Sequence, residues 1–451
     1  MVGITHKNID YDADLGESGW SAILPQRIPY AELSADIEAD YCIVGAGFAG
    51  LAAARRVLQI HSNARVVMLE AATAGSGPAG RNSGFMIDLP HVLSSSSYAG
   101  QAASDQRDIK LNRQAIDFVR KAVDEFGLSA DTFRAEGKVN AAASRSGILA
   151  NQEYSEHLSK LGEACELLDA KAMQAISGSN YYLGGLRTPG TAMIQPALLV
   201  RGIADGLASM DSCELYERTA VLSIQQQADR WKLSTAKGSV LASKTILAVN
   251  GFVENFGFYQ RRLMHVNLYA SMTRELSAGE VSILNGQDRW GFTPSDPFGT
   301  TVRKINDNGG HRLIIRNRFT YDPGLVARSS QLQRAAHDHD KALLARFPAL
   351  TEVSMQYRWS GRLCLSRNHS WALGQVAENL YSACCQDGLG TTKGTVAGVI
   401  AAELACELHC DSLMPEFENA ELPQQLPPEP FMTVGARTYL KWREWRAGKD
   451  R

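Results

Sequence analysis

An excess of charge of either sign is the first thing missing. The 451 residues carry 46 Lys+Arg against 48 Asp+Glu, a formal net charge of −2, so no basic field is present to draw nucleic acid. The opening "MVGITHKNIDYDADLGESGW" has neither a basic n-region nor an apolar h-region, and no signal peptide is expected. No uncharged apolar run reaches the ~20 residues that a spanning helix needs. The eight cysteines show no CxxC and no metal-ligand spacing, and adjacent Cys384 and Cys385 suit neither an ordinary disulfide nor a zinc site. These absences lead to an expectation of a cytoplasmic protein with buried thiols, no metal and no transmembrane segment.

What is present is apolar substance and glycine. An apolar share of 45% in a chain of this length supports two full cores. The stretch "YCIVGAGFAGLAAARRVLQIHSNARVVMLE", Tyr41 to Glu70, reads as strand, tight turn, helix and second strand. Within it Gly45 permits the turn, Gly47 removes the side chain that would block a pyrophosphate, and Gly50 allows close helix packing. Phe48 and Ala49 open the helix, whose N-terminal N–H groups and partial positive charge face the phosphates. Glu70 ends the second strand where a dinucleotide's ribose hydroxyls are met.

Further along, residues 1–37 form a lead-in with Trp20 and Pro25 as anchors. The glycine-rich "AATAGSGPAGRNSGFMIDLPH" lets backbone approach a flat ligand closely. Ser104 to Phe126 is helical by the spacing of Leu111, Ala115, Phe118, Val119, Ala122 and Phe126. Ser212 to Ala248 alternates as a meander returning to the first sheet. Residues 251–357 contain a hairpin turning at Asn308-Gly309-Gly310. "LYSACCQDGLGTTKGTVAGVIAAELACEL" reads as strand, glycine loop and a helix from Thr391 to Glu407, whose N-terminal dipole would stabilise negative charge on a ligand. The tail, 411–451, is rich in proline and then basic. It is compatible with lying on a membrane, but with few apolar positions on one face the simpler expectation packs Trp442 and Trp445 against the body or a second subunit.

Five blocks in order, the GxGxxG unit, the Gly75–Gly84 loop with Arg81-Asn82, "ILAVNGF", "WSGRLCLSRNHSWALG" and "DGLGTTKGTVAG", resemble the FAD-dependent D-amino-acid oxidase superfamily. Within it they are most similar to the glycine oxidase, sarcosine oxidase and gamma-glutamylputrescine oxidase branch. The resemblance implies an α/β fold: a Rossmann-like FAD-binding domain (38–95, 185–250 and 358–410) and a mixed α+β substrate domain (96–184 and 251–357) covering the flavin. It implies that Gly45, Gly47 and Gly50, with Phe48 and Ala49, hold the pyrophosphate, Glu70 the ribose and Val221 the adenine. Arg81, Asn82, Ser83 and Gly84 would line the ring, and Gly388, Leu389, Gly390, Thr391 and Thr392 its pyrimidine end. The implied reaction removes hydride from the carbon beside an amine nitrogen, giving an imine that water hydrolyses, with oxygen as acceptor.

Departures from the family pattern bear on the substrate. Gly361 stands where sarcosine oxidases carry a flavin-linking cysteine, Cys364 lies three residues on, and noncovalent FAD is expected. The family lysine aligns with Thr392, with Lys393 next to it, and Arg362 is one position off the arginine of glycine oxidases. Relatives carry small residues where this chain has Arg316-Asn317, and a guanidinium there would grip a carboxylate or phosphonate by a two-pronged contact. Strand alternation puts Arg316 and Arg318 on one face, Asn317 and Phe319 on the other, so a solvated Arg316 and a substrate-facing one both stay open. Arg316, Asn317, Arg362 and Gln386 are therefore the candidate substrate residues, with Arg303 behind them. His91 is a weaker candidate, more simply a structural histidine, and for Asp387, as for Gln386, contact with substrate or flavin is open beside the simpler role of capping the next helix. Two alternatives stay open, an NAD-linked dehydrogenase and a flavin-binding subunit without amine turnover; a homo-oligomer is open as well.

Overall fold

The apolar run ending at Val44 becomes the middle of a nine-stranded sheet. Asp36–Val44 lies parallel to Val66–Leu69 on one side and to Ser239–Leu247 on the other, and Cys213–Tyr216 extends the parallel set. Val66–Leu69 is buried at all four positions, as expected where helices cover both faces of a parallel sheet. Ser239–Leu247 is long enough to take two neighbours along its far edge, Arg230–Ser234 antiparallel and then Leu380–Cys384 parallel. The meander expected over Ser212 to Ala248 is formed by Ser223–Gln227, Arg230–Ser234 and Ser239–Leu247, whereas Cys213–Tyr216 lies at the opposite edge of the sheet. The computed structural model describes residues 3–5, 15–90, 98, 100–307, 310–408 and 421–451.

Two helices cross closely against this sheet, Phe48–Ile60 and Thr392–Ala405. A Cβ at Gly398 would lie 2.0 Å from the Ala49 carbonyl oxygen, so glycine is what lets the backbones meet. The helix expected from Ser104 runs from Ala102 to Glu125.

The second sheet has eight strands in the order Met355–Ser366, Leu263–Thr273, Gly310–Tyr321, Thr301–Asp307, Trp290–Pro294, Lys138–Ala142, Gly184–Thr188, Glu166–Asp169. All its pairs are antiparallel except Trp290–Pro294 with Lys138–Ala142. Gly184–Thr188 and Met355–Ser366 belong here, so the boundaries at 185 and 358 fall inside strands of this sheet. A buried strand's sequence does not say which sheet it joins. The hairpin strands Thr301–Asp307 and Gly310–Tyr321 pair as expected; Asn308 and Gly309 of its turn lie outside the described residues, as does His91.

Three sequence expectations are corrected. Trp20 is fully buried, its Nε1 donating to the Asn82 carbonyl at 2.8 Å, but Pro25 is exposed and Leu24 makes the neighbouring apolar contact. Trp442 and Trp445 do not pack on the body: they are 46% and 77% exposed on the helix Phe431–Ala447, which docks by its other side. The alternation along Gly310–Tyr321 breaks at Arg318, which has φ +63° and is skipped in the pairing, where Leu268 meets Phe319 and Tyr269 meets Asn317. The bulge sends Arg318 to Asp338 on the helix Ser329–Arg346, at 2.5 Å, while Arg316 stacks over the Phe319 ring at 5.1 Å.

Candidate active site

A cavity of about 320 Å³ runs between the two sheets. Its first wall is the strand–turn–helix. Gly45, Gly47, Phe48 and Ala49 line it, Glu70 closes one side and Val221 lies beyond. Gly45 has φ +103°, a left-handed conformation that glycine adopts without strain. Gly50 does not line the cavity: a Cβ there would sit 1.8 Å from the Gly45 oxygen, so its work is packing. At Gly47 a Cβ would meet only the Ala79 Cβ, at 3.5 Å. The fold has room for a side chain at that point, and what a longer one would fill is the cavity.

Glu70 Oε2 accepts from the Ala46 N–H at 2.8 Å and Oε1 from the Ala72 N–H at 3.0 Å. Burial pushes its carboxyl above the usual range, while those two N–H groups oppose the shift. The carboxylate is thereby held rigid at the cavity edge with lone pairs to spare for hydroxyl donors.

The second wall is the loop carrying Arg81, Asn82 and Ser83, which line the cavity, and Gly84, which does not. Three distant side chains pin this loop from outside. Trp20 Nε1 takes the Asn82 carbonyl, Trp359 Nε1 takes the Arg81 carbonyl at 2.9 Å, and Arg303 Nη1 donates to the carbonyls of Ser83, Gly84 and Ile194 at 3.2, 2.9 and 2.8 Å. Arg303 is therefore a clamp behind the loop and no substrate ligand. Burial lowers its pKa to about 10. Arg81 itself donates to the carbonyls of Ser76, Gly16 and Ser360 at 2.6, 2.9 and 3.2 Å.

The glycine loop supplies the third wall. Gly388, Leu389, Gly390 and Thr391 line the cavity, and Thr391 Oγ1 donates to the Phe85 carbonyl at 2.6 Å. The helix behind it starts at Thr392; Thr392 itself is fully buried off the cavity, because it has turned into the helix body. Lys393 points away as well, pairing with Asp108 at 3.0 Å. Asp387 does not cap the helix. It accepts from the Ser366 N–H at 3.1 Å and holds His369 Nδ1 at 2.5 Å.

Of the substrate candidates, Arg316, Arg362 and Gln386 reach the cavity. Asn317 does not: the strand turns it to the opposite face, where its Nδ2 donates to Thr300 Oγ1 at 3.1 Å. Arg362 stacks over Phe252 at 4.8 Å, and Gln386 Nε2 donates to the Ala383 carbonyl at 2.9 Å. Arg316 pairs in register with Ala270, which pairs with Trp359, and this row faces the pinned loop. Among the described residues Arg316 has no carboxylate or hydrogen-bond partner, and burial lowers its pKa to about 10. A guanidinium remains charged at neutral pH even so.

Sequence reasoning missed several lining residues. Tyr98, which donates to the Pro294 carbonyl at 2.9 Å, and His265, whose Nε2 pairs with Glu254 at 2.6 Å, both line the cavity. No motif marks either one; His265 is carried by the strand Leu263–Thr273 and Tyr98 comes from a separate segment, and only the tertiary fold brings both to the cavity. The residues that remain, a glycine turn with an open Cβ direction, a fixed acid, a backbone-rich loop and a helix-backed glycine turn, fit the pyrophosphate, ribose and flat ring of FAD.

Comparison with known proteins agrees. The family model described as FAD dependent oxidoreductase matches residues 40–404. The chain is 26% identical over 383 residues to gamma-glutamylputrescine oxidoreductase of Escherichia coli K12, covering 83% of this chain and 85% of that one. It is 23% identical over 367 residues to a probable oxidoreductase OrdL of Haemophilus influenzae, covering 79% and 80%. In fold it is similar to glycine oxidase from Geobacillus kaustophilus, with a TM-score of 0.68 at 17% identity, covering 87% of this chain and 100% of that one. NikD, an amino acid oxidase, superposes with a TM-score of 0.64 at 15% identity, covering 86% and 100%. A match spanning most of the sequence, with an α/β fold shared by flavoenzymes and a cavity shaped for the cofactor, sets aside the NAD-linked alternative: this chain belongs to the FAD dependent oxidoreductase family.

Proposed function

We propose that this protein is a cytosolic oxidase that converts a primary or secondary amine bearing an anionic group to an imine, which water hydrolyses, with oxygen reduced to hydrogen peroxide. A gamma-glutamyl amine, an N-methyl amino acid and an aminophosphonate all satisfy that description. The single observation that carries the reading is Arg316, a half-buried guanidinium lining the cavity with no carboxylate or hydrogen-bond partner among the described residues. A partly desolvated cation without a counter-ion is costly, and an anionic substrate offsets that cost. The names of the relatives, which refer to gamma-glutamylputrescine and to glycine, point to the same class of compound.

Bound FAD supplies the two-electron acceptor for the hydride. The chain's own part is to orient and to dry. Arg316 fixes one end of the substrate by its charge. Ile87, Phe252, Leu268 and Leu363 line the cavity with apolar surface, which excludes water and favours the neutral amine over its ammonium form. Among the substrate candidates Gln386 is the neutral donor and Arg362 the second cation.

The FAD is held without a covalent bond in this reading. Cys364 lines the same cavity, but burial, together with its neighbour Cys385, pushes its thiol well above the ordinary value, and a thiol kept protonated is a poor nucleophile. Acid precipitation of the purified protein should leave the yellow colour in the supernatant; colour retained in the pellet would refute this.

The test of the function is anaerobic titration of the flavoprotein with gamma-glutamylputrescine, sarcosine, glycine and an aminoalkylphosphonate. Bleaching of the long-wavelength flavin band by one of the anionic amines, faster than by its uncharged analogue, is the expected result. Equal bleaching by charged and uncharged amines would remove the anionic requirement, and no bleaching by any amine would remove the activity.

A further inference from the structure

The helix Phe431–Ala447 has two faces of different character. Its inner face holds it to the eight-stranded sheet: Met432 packs with Val266 and Tyr321, Ala447 with Phe298 and Phe319, and Glu444 Oε1 accepts from the Phe319 N–H at 3.0 Å. Its outer face carries Phe431, Val434, Trp442 and Trp445, exposed to 72, 63, 46 and 77%. At about 100° per residue these four fall on one stripe, with small Gly435 and Thr438 between them. Arg437 and Lys441 flank the stripe on one side and Arg446 on the other, all exposed. The acidic residues of this segment, Glu444 and Asp450, are turned inward at 6 and 3% exposure.

An apolar aromatic stripe with cationic margins and no exposed acid suits one chemistry, a layer whose interior is apolar and whose surface is anionic. Trp and Phe sit at the boundary between headgroups and acyl chains, and Lys and Arg reach out to the phosphates. A second copy is the poorer occupant. Pairing two such faces would set Arg437, Lys441 and Arg446 against their own counterparts, with no exposed acid on the helix to compensate. We infer that the outer face of the Phe431–Ala447 helix docks this protein reversibly on an anionic phospholipid surface. The helix adjoins the cavity wall, since its inner face touches Phe298 and Phe319 while Pro297 and Arg316 line the cavity. Docking thus sets the substrate sheet, with its cavity wall, near the lipid. The inference stands independently of which amine is oxidised.

Co-sedimentation of the full-length flavoprotein with vesicles tests it. With vesicles of phosphatidylcholine plus phosphatidylglycerol at low salt the protein should pellet, with phosphatidylcholine alone it should not, and added salt should release it. W442S/W445S and K441E/R446E should each lower vesicle affinity by about tenfold or more, while keeping the parent's flavin spectrum as proof of folding. Absence of binding to the anionic vesicles, or variants that bind as the parent does, would overturn the inference. So would a dimer in solution that W442S/W445S converts to monomer without any vesicle binding, because a second copy would then own the face.

Discussion

Gly47 and Gly50 look alike in sequence and do different work. Gly50 is required by the protein itself, since a Cβ would collide with the Gly45 oxygen, whereas a Cβ at Gly47 meets nothing closer than 3.5 Å. Gly47→Leu should therefore fold and unfold much as the parent does, yet purify without FAD; a variant that stays fully yellow would disprove the pyrophosphate assignment. Arg316 is argued the same way, from what it lacks. Arg316→Ala should raise KM for an anionic amine by about tenfold to a hundredfold, the ~1.5–3 kcal/mol of a charged hydrogen bond, and leave an uncharged amine nearly unaffected. Steady-state kinetics on matched charged and uncharged substrates decides it, and an equal loss on both would reassign Arg316 to structure.

At the scale of elements, the cavity loop at 81–84 is positioned by parts of the chain far from it. Trp20, Trp359 and Arg303 each hold a carbonyl of the 81–84 segment, and Arg303 alone holds two of them together with Ile194. Arg303→Met keeps the bulk of the stem but removes a donor from each of those carbonyls, of which that of Gly84 keeps the Ile194 N–H at 2.9 Å, at ~1–3 kcal/mol for each one left without a donor. The variant should lose thermal stability and bind FAD more weakly, with kcat per bound flavin nearly preserved. Titration of the apoprotein with FAD, followed by flavin fluorescence, measures this. If FAD affinity is unchanged, the clamp does not position the loop.

At the scale of the whole molecule, a buried histidine away from the site predicts a pH dependence of stability. His339, fully buried on the helix Ser329–Arg346, gives its Nδ1 to a hydrogen bond with Ser271 Oγ at 2.7 Å. Burial, reinforced by nearby Arg358, lowers its pKa from 6.5 to about 3. Above pH 6.5 the ring is neutral in both folded and unfolded chains and its contribution to stability is fully present. As pH falls below that, the unfolded chain takes the proton and the folded one does not, so stability drops by up to about 1.4 kcal/mol per pH unit until about pH 3. Denaturant unfolding between pH 4 and about 6 should show a flatter slope for His339→Gln than for the parent; identical slopes would exclude this histidine as the source.

The local grammar of the chain was enough for the strand–turn–helix from Asp36 to Ile60, the helix that runs to Glu125 and the glycine loop before Thr392, because turn residues and side-chain periodicity act over a few positions. The motif order also pointed to FAD, and the polarity of Arg316 on a strand expected to face the ring pointed to an anion. Only the tertiary structure decided the rest. That Met355–Ser366 joins the eight-stranded sheet depends on pairing with Leu263–Thr273, about ninety residues away, and no local pattern encodes a partner. The bulge at Arg318, which separates it from Arg316 and leaves Arg316 on the cavity side, is set by register with the neighbouring strand. Arg303 reads in sequence as another candidate anion ligand, and becomes a clamp because three carbonyls of two separate segments converge on it. Trp442 and Trp445 read as anchors for the body or for a second subunit, and on this chain they are left outward, because Met432, Ala447 and Glu444 have already taken the inner face. Periodicity tells which residues share a face; which face is covered, and by what, is decided by the contacts of the folded chain.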